Sequence, residues 1–164
     1  AALVMGDALA VSLLEARGFT RDDFALSHPG GSLGRRLLLR VGDIMHVGVD
    51  MPSVPESALI SHALLEMTEK QLGMTAVVEA DNRVVGIFTD GDLRRMLGRN
   101  LDINKTAITE VMTSHCAVIS ADMLAAEAMK IMEQKKINAL IVVDERQCAI
   151  GALNMHDLIR AGIV

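Results

Sequence analysis

Residues 57–95 can be laid over residues 122–160 without a gap. The chain then matches itself at Leu59/Leu124, Ala63/Ala128, Met67/Met132, Lys70/Lys135, Val77/Val142, Val78/Val143, Gly86/Gly151, Asp92/Asp157, Leu93/Leu158 and Arg95/Arg160. An internal duplication constrains the fold more than composition does, because it asks for one supersecondary unit used twice. Each copy opens with a short Met-containing segment, Asp43-Ile44-Met45 and Glu110-Val111-Met112, and then reads helix, strand, turn, strand, helix. A unit this short buries too little apolar surface alone. Two copies packed face to face remedy that, and the pairing leaves clefts related by a pseudo-twofold axis.

In the first copy Pro52 and Pro55 bracket a short extended stretch. Ser57 is the expected cap of a helix over about 58–71 that buries Leu59, Ala63, Leu64 and Met67. Met74 to Glu79 read as a strand, Asp81-Asn82 as a turn and Arg83 to Phe88 as the returning strand, with a last helix from Thr89-Asp90-Gly91-Asp92 to near Gly98. A polar linker follows. In the second copy Ser120 is the expected cap of a helix through Gln134; Ala139 to Asp144 and Ala149 to Leu153 are strands around a Glu145-Arg146 turn, and a helix begins at Asn154 to Asp157. The class is α/β (α+β), with boundaries at 1–38 for a leading section, 41–100 and 108–164 for the repeats and 101–107 for the linker.

The leading section lies outside the repeat. Leu3, Val4, Leu9, Leu13 and Leu14 have helical spacing up to Gly18, and Thr20 caps an acidic turn, Arg21-Asp22-Asp23-Phe24. The run Ser27-His28-Pro29-Gly30-Gly31-Ser32-Leu33-Gly34 cannot form regular structure and must be a specifically shaped loop. The first residues read as the middle of a helix, so the chain is expected to be an excised piece.

Half of the 164 residues are apolar and the net charge is -5. Such a balance argues against a nucleic-acid partner, which needs a basic face, and no apolar run is long enough to span a membrane. Cys116 and Cys148 form no metal or disulfide pattern and fit free thiols in a reducing cytoplasm. With three Phe and no Trp or Tyr, stacking platforms are scarce, and eleven Met supply adaptable apolar filling.

The junction between second strand and last helix is the best site candidate in each copy. It reads Gly86-Ile87-Phe88-Thr89-Asp90-Gly91-Asp92-Leu93 and Gly151-Ala152-Leu153-Asn154-Met155-His156-Asp157-Leu158. A helix start offers backbone N–H groups to a phosphate, Thr89 adds a hydroxyl, and an ionised Asp one turn later can accept from two adjacent sugar hydroxyls. Equally, Thr89 or Asp90 caps the helix and Asp92 complements its dipole. His156 is placed to meet an anion and His46 to face the cleft, whereas His62 and His115 read as surface positions. Lys135-Lys136 and Arg94-Arg95 read as solvated helix ends, and no His/Cys/Glu pattern for a metal is present.

The doubled unit with G-x-x-T-x-x-D-L resembles a pair of cystathionine-β-synthase (CBS) domains, in β-α-β-β-α repeats with pseudo-twofold symmetry. That resemblance implies a regulatory module whose clefts take adenosine nucleotides or similar ligands. Thr89 would contact phosphate, Asp92 and Asp157 ribose, and Asn154 replaces the motif's Thr. The walls around a base would come from Met45, Met74, Thr75, Thr113, Val118, Ile119, Asn138 and Ala139, each of which also suits a core position. The leading section, above all Ser27-His28-Pro29-Gly30-Gly31, resembles the end of a sugar isomerase (SIS) domain. The combination is similar to the bacterial arabinose 5-phosphate isomerase family, which interconverts ribulose 5-phosphate and arabinose 5-phosphate for the Kdo branch of lipopolysaccharide or capsule synthesis. The resemblance implies that His28 serves the parent active site, unless it only fixes its turn, and that this piece alone turns over no substrate. It implies a regulatory ligand such as AMP, ATP or CMP-Kdo and no required cofactor. It further implies a cytoplasmic enzyme, a homodimer through CBS pairs and a tetramer at full length. An empty dimerisation scaffold is the alternative.

Overall fold

The structure, a computed structural model, describes residues 38–163 and Gly18. The expectations for the leading section, including the loop at 27–34 and His28, fall outside the described residues.

Each repeat builds one small sheet. In repeat one β1 (Ser53–Pro55) pairs parallel with β2 (Met74–Val78), which pairs antiparallel with β3 (Val84–Thr89). In repeat two β4 (Val118–Ser120), β5 (Ala139–Val143) and β6 (Ala149–Asn154) repeat the order and the directions. The helices are α1 (Ile60–Lys70), α2 (Asp90–Met96), α3 (Ala125–Lys135) and α4 (Met155–Arg160). Even the irregularities are duplicated, with a register shift at Val77/Val78 and another at Val142/Val143.

Every residue of the two middle strands is buried, so both faces of each sheet are covered. Alternation divides their side chains between two cores. Met74, Ala76 and Val78 meet Ala139, Ile141 and Val143 in an apolar layer between the sheets. Val77 packs with Ile60, Ala63, Met67 and Phe88 under the helices of repeat one, and Leu140 and Val142 pack with Ala125, Ala128, Met132 and Leu158 in repeat two. The repeats are thus held together by a shared core that neither could cover alone.

The opening segments are exchanged. Val41 N–H donates to Met123 O at 2.9 Å, Gly42 N–H to Ala121 O at 2.8 Å and His46 N–H to Ala152 O at 2.8 Å, so the segment that opens repeat one lies on repeat two. Ile108 N–H reciprocates to Ala58 O at 2.8 Å and Thr113 N–H to Ile87 O at 2.8 Å.

This exchange also corrects two caps. Neither Ser57 nor Ser120 caps a helix; the N-caps are Leu59 and Leu124, with no side-chain bond. Leu59 bridges Ala107 and Leu124 bridges Arg40, so each helix starts only after that bridge. The orphan N–H groups of the first turn then find backbone carbonyls of the exchanged segment, Ile60 N–H on Thr106 O at 3.1 Å and Ala125 N–H on Leu39 O at 2.8 Å. On the axis the hairpin turns meet, with Ala149 N–H on Asn82 O at 2.9 Å and the Asn82 amide on Ala149 O at 2.7 Å.

Candidate functional site

At the opposite end from the hairpin turns, the starts of β2 and β5 and the ends of β3 and β6 converge on one groove of about 1170 Å3. Ligand pockets commonly measure roughly 300–1,000 Å3. Leu72, Gly73, Ile137, Asn138 and Ala139 form part of its wall where the chain enters the two middle strands. Asn154 ties the halves together, its side-chain N–H donating to Leu72 O at 3.5 Å.

Thr89 is the N-cap of α2, and Asp92 is its capping-box partner. The Asp92 carboxylate is only 3% exposed. One oxygen, Oδ2, accepts from Thr89 N–H at 2.9 Å and from the Thr89 hydroxyl at 2.6 Å. The other, Oδ1, accepts from the Thr113 hydroxyl at 2.8 Å and from Arg95 Nη2 at 2.5 Å. A buried carboxylate needs such partners, since leaving it bare is costly. Its hydrogen-bonding capacity is therefore spoken for, and a sugar hydroxyl would have to replace Thr113 or Arg95 on Oδ1.

The second copy of the motif is built alike but furnished differently. Asn154 caps α4, with its N–H on Asp157 Oδ2 at 2.8 Å and its side-chain carbonyl accepting from Asp157 N–H at 3.2 Å. Asp157 Oδ1 lies 3.0 Å from His46 Nε2, delivered by the exchanged opening segment. His46 thus stands where repeat one's carboxylate has Thr113. Among the described residues Asp157 accepts no bond like those from the Thr89 hydroxyl and Arg95, although Arg160 stands at the position equivalent to Arg95.

Of the residues expected at the site, the structure brings Thr89, Asp92, Thr113, Asn138, Ala139, Asn154 and His156 to the groove. Asp157 is buried behind its wall, on His46. Met74 and Ile119 are core residues, Val118 packs beside the layer between the sheets, and Thr75 is fully buried, donating its hydroxyl to Ala63 O at 3.2 Å. Met45 packs against Gly151, where an added Cβ would come within 2.6 Å of its Sδ. These five follow strand alternation and core filling, so their side chains do not wall the groove. Conversely Lys135, Lys136, Arg94 and Arg95, read from sequence as solvated helix ends, all line it, as does His115. The usable signal was positional: the residues just before each middle strand flank the groove in both copies. Cys116 lies there too, and burial pushes its thiol above the ordinary value of 9.0.

Comparison with known proteins fits this geometry. The family model for the CBS domain matches residues 41–99 and again 108–163. The chain belongs to the CBS-domain family. Among curated proteins it is 59% identical over 162 residues to arabinose 5-phosphate isomerase KdsD of Pseudomonas aeruginosa and 52% identical over 164 residues to that of Yersinia pestis. These alignments cover 99% and 100% of the chain but 50% of each relative, so the chain spans about half the length of the curated relatives it matches. Solved structures with the same fold include the CBS domain protein PAE2072 from Pyrobaculum aerophilum complexed with AMP, with 20% identity, a TM-score of 0.65 and coverage of 73% of this chain and 89% of that one. The CBS domain pair of protein MJ0100 in complex with 5'-methylthioadenosine and S-adenosyl-L-methionine has 24% identity, a TM-score of 0.64 and coverage of 74% and 97%. Among the described residues of this CBS pair no helix is long and apolar enough to cross a membrane.

Proposed function

We propose that the chain is the regulatory CBS pair of a cytoplasmic bacterial arabinose 5-phosphate isomerase and that the groove between its repeats takes a nucleotide-type ligand. The identity of 59% along essentially the whole chain supports the parent enzyme. The observation that carries the site is the groove itself, large enough for a nucleotide and edged by Thr89, Asp92, Asn138, Asn154 and His156. AMP in one protein of this fold, and adenosine derivatives in another, support a nucleoside-containing ligand; AMP, ATP and CMP-Kdo are the candidates.

Regulation requires that the ligand bind two arrangements of the repeats with different affinity. The exchanged opening segment supplies a route. Residues 39–46 lead directly from the leading section, lie on repeat two and end with His46 on Asp157. A shift between the repeats would move that segment and with it the SIS domain of the parent enzyme, whose active site would receive His28. In this reading the chain alone is catalytically silent and the parent is a tetramer joined in part through paired CBS modules.

The saturated Asp92 carboxylate favours a second reading, in which the clefts stay empty and the pair serves as a scaffold. Calorimetric titration with AMP, ATP, CMP and CMP-Kdo separates the two. Binding of at least one of them, weakened at least tenfold by Asp92→Asn, supports the sensor; silence from all four leaves the scaffold.

A further inference from the structure

The groove breaks the pseudo-twofold symmetry in its charge. Under the 65-residue shift Lys136 stands where repeat one has Gln71, His156 where it has Gly91, and Met155 where it has Asp90. All six line the groove, and so does Lys135, whereas its counterpart Lys70 does not. The backbone does not account for the difference. Gln71 and Lys136 both end their helices in the left-handed conformation, at φ 58 and 54. What differs is the charge those equal frames carry.

Repeat two therefore lines its half with four basic side chains, His115, Lys135, Lys136 and His156, and no carboxylate, while repeat one sets Asp90 and Asp92 against Arg94 and Arg95. Arg95 is already engaged with Asp92. Among the described residues neither Lys135 nor Lys136 has an ion-pair partner. A basic half-groove in a chain of net charge -5 is an anion seat in search of its anion.

Building on the reading of this groove as a nucleotide site, we infer that its occupant is anionic and sits one way round. The phosphate lies over Lys135, Lys136 and His156 of repeat two, and the nucleoside points toward repeat one. Repeat one's half, where Asp90 and Asp92 offset Arg94 and Arg95, offers a second phosphate no excess positive charge, so one ligand binds per chain. Uncharged nucleosides and cationic sulfonium nucleosides are poor ligands, since neither brings negative charge to the basic half.

The test is calorimetric titration of the native chain, at low salt and without divalent cations, with AMP, adenosine, CMP, cytidine and S-adenosylmethionine. One equivalent should bind, with a monophosphate at least roughly tenfold tighter than its own nucleoside. Lys135→Ala combined with Lys136→Gln, the second copying Gln71, should erase most of that preference while retaining the native melting temperature. Lys70→Ala should leave it intact. Two equivalents, nucleoside or sulfonium binding as tight as the monophosphate, or a preference that survives the double substitution would each overturn the inference while leaving the groove reading in place. Silence from all five overturns the inference, and silence from ATP and CMP-Kdo as well takes the groove reading with it.

Discussion

Asp92 shows how one side chain can serve fold and site at once. It closes the capping box of α2, and it gathers Thr113 and Arg95 from outside that box. Removing it leaves the Thr89 N–H and hydroxyl without their partner, a loss of about 1–3 kcal/mol for buried groups. Asp92→Ala is accordingly expected to lower the melting temperature clearly, as followed by circular dichroism. Thr113→Ala is the gentler probe. The residue is exposed and its bond to Asp92 only partly buried, so the cost should stay within about 0.5–1.5 kcal/mol, yet it frees a position on Oδ1 that a sugar hydroxyl can take. Nucleotide affinity should hold or rise in this variant; a tenfold loss would show that Thr113 itself touches the ligand. Cys116 reports the same place chemically. Its thiol is pushed up chiefly by burial, so the unfolded chain gives up its proton first as pH rises past 9.0. That ionisation favours the unfolded state, and stability should fall above this pH until the native thiol ionises as well. At pH 8 Cys116 should alkylate more slowly than a small free thiol, and more slowly still with groove ligand present.

At the scale of elements, the duplication made the order of strands and helices legible, because identical hydrophobic spacing implies identical units. The turn at Asp81-Asn82 was also legible; Asn82 takes φ 67, which short polar side chains tolerate. The helix starts were not. Ser57 and Ser120 have the right chemistry, but the backbone of a segment from the other repeat does their work, and no local pattern announces a partner tens of residues away. The motif residues Thr89, Asp92 and Asn154 were legible as a strand-to-helix junction, whereas of the expected wall residues only Thr113, Asn138 and Ala139 reach the groove, since burial on the helix side or the sheet side depends on which face of a doubly covered strand meets which layer. The exchanged segments lie so close to their hosts that only glycine fits. An added Cβ at Gly86 would fall 2.9 Å from Thr113 O and 2.6 Å from Met112 Sδ, and at Gly151 3.0 Å from His46 O. Gly86→Ala and Gly151→Ala should each destabilise by about 1–3 kcal/mol, the usual range for overpacking. Gly98, with open space where its Cβ would be, should accept Ala within about 0.5 kcal/mol. Urea denaturation of the three variants checks the contrast.

For the whole molecule, the shared layer between the sheets and the reciprocal segments make the two repeats one cooperative body. Residues 108–163 expressed alone would expose Ile141, Val143 and Ala152 and lose Val41 from the core, so they should show no cooperative melting transition. The native pair should melt in a single step. The groove exists only because both repeats contribute to it, which is why its occupancy can report on their arrangement. Amide spectra of the isotopically labelled chain, followed while AMP, ATP, CMP and CMP-Kdo are titrated in turn, test that claim most directly. The account predicts that at least one of them saturates shifts confined to residues 89–95, 137–139 and 154–156, drawn from both repeats. Shifts gathered instead around the paired hairpin turns, or an unchanged spectrum with all four, would contradict it.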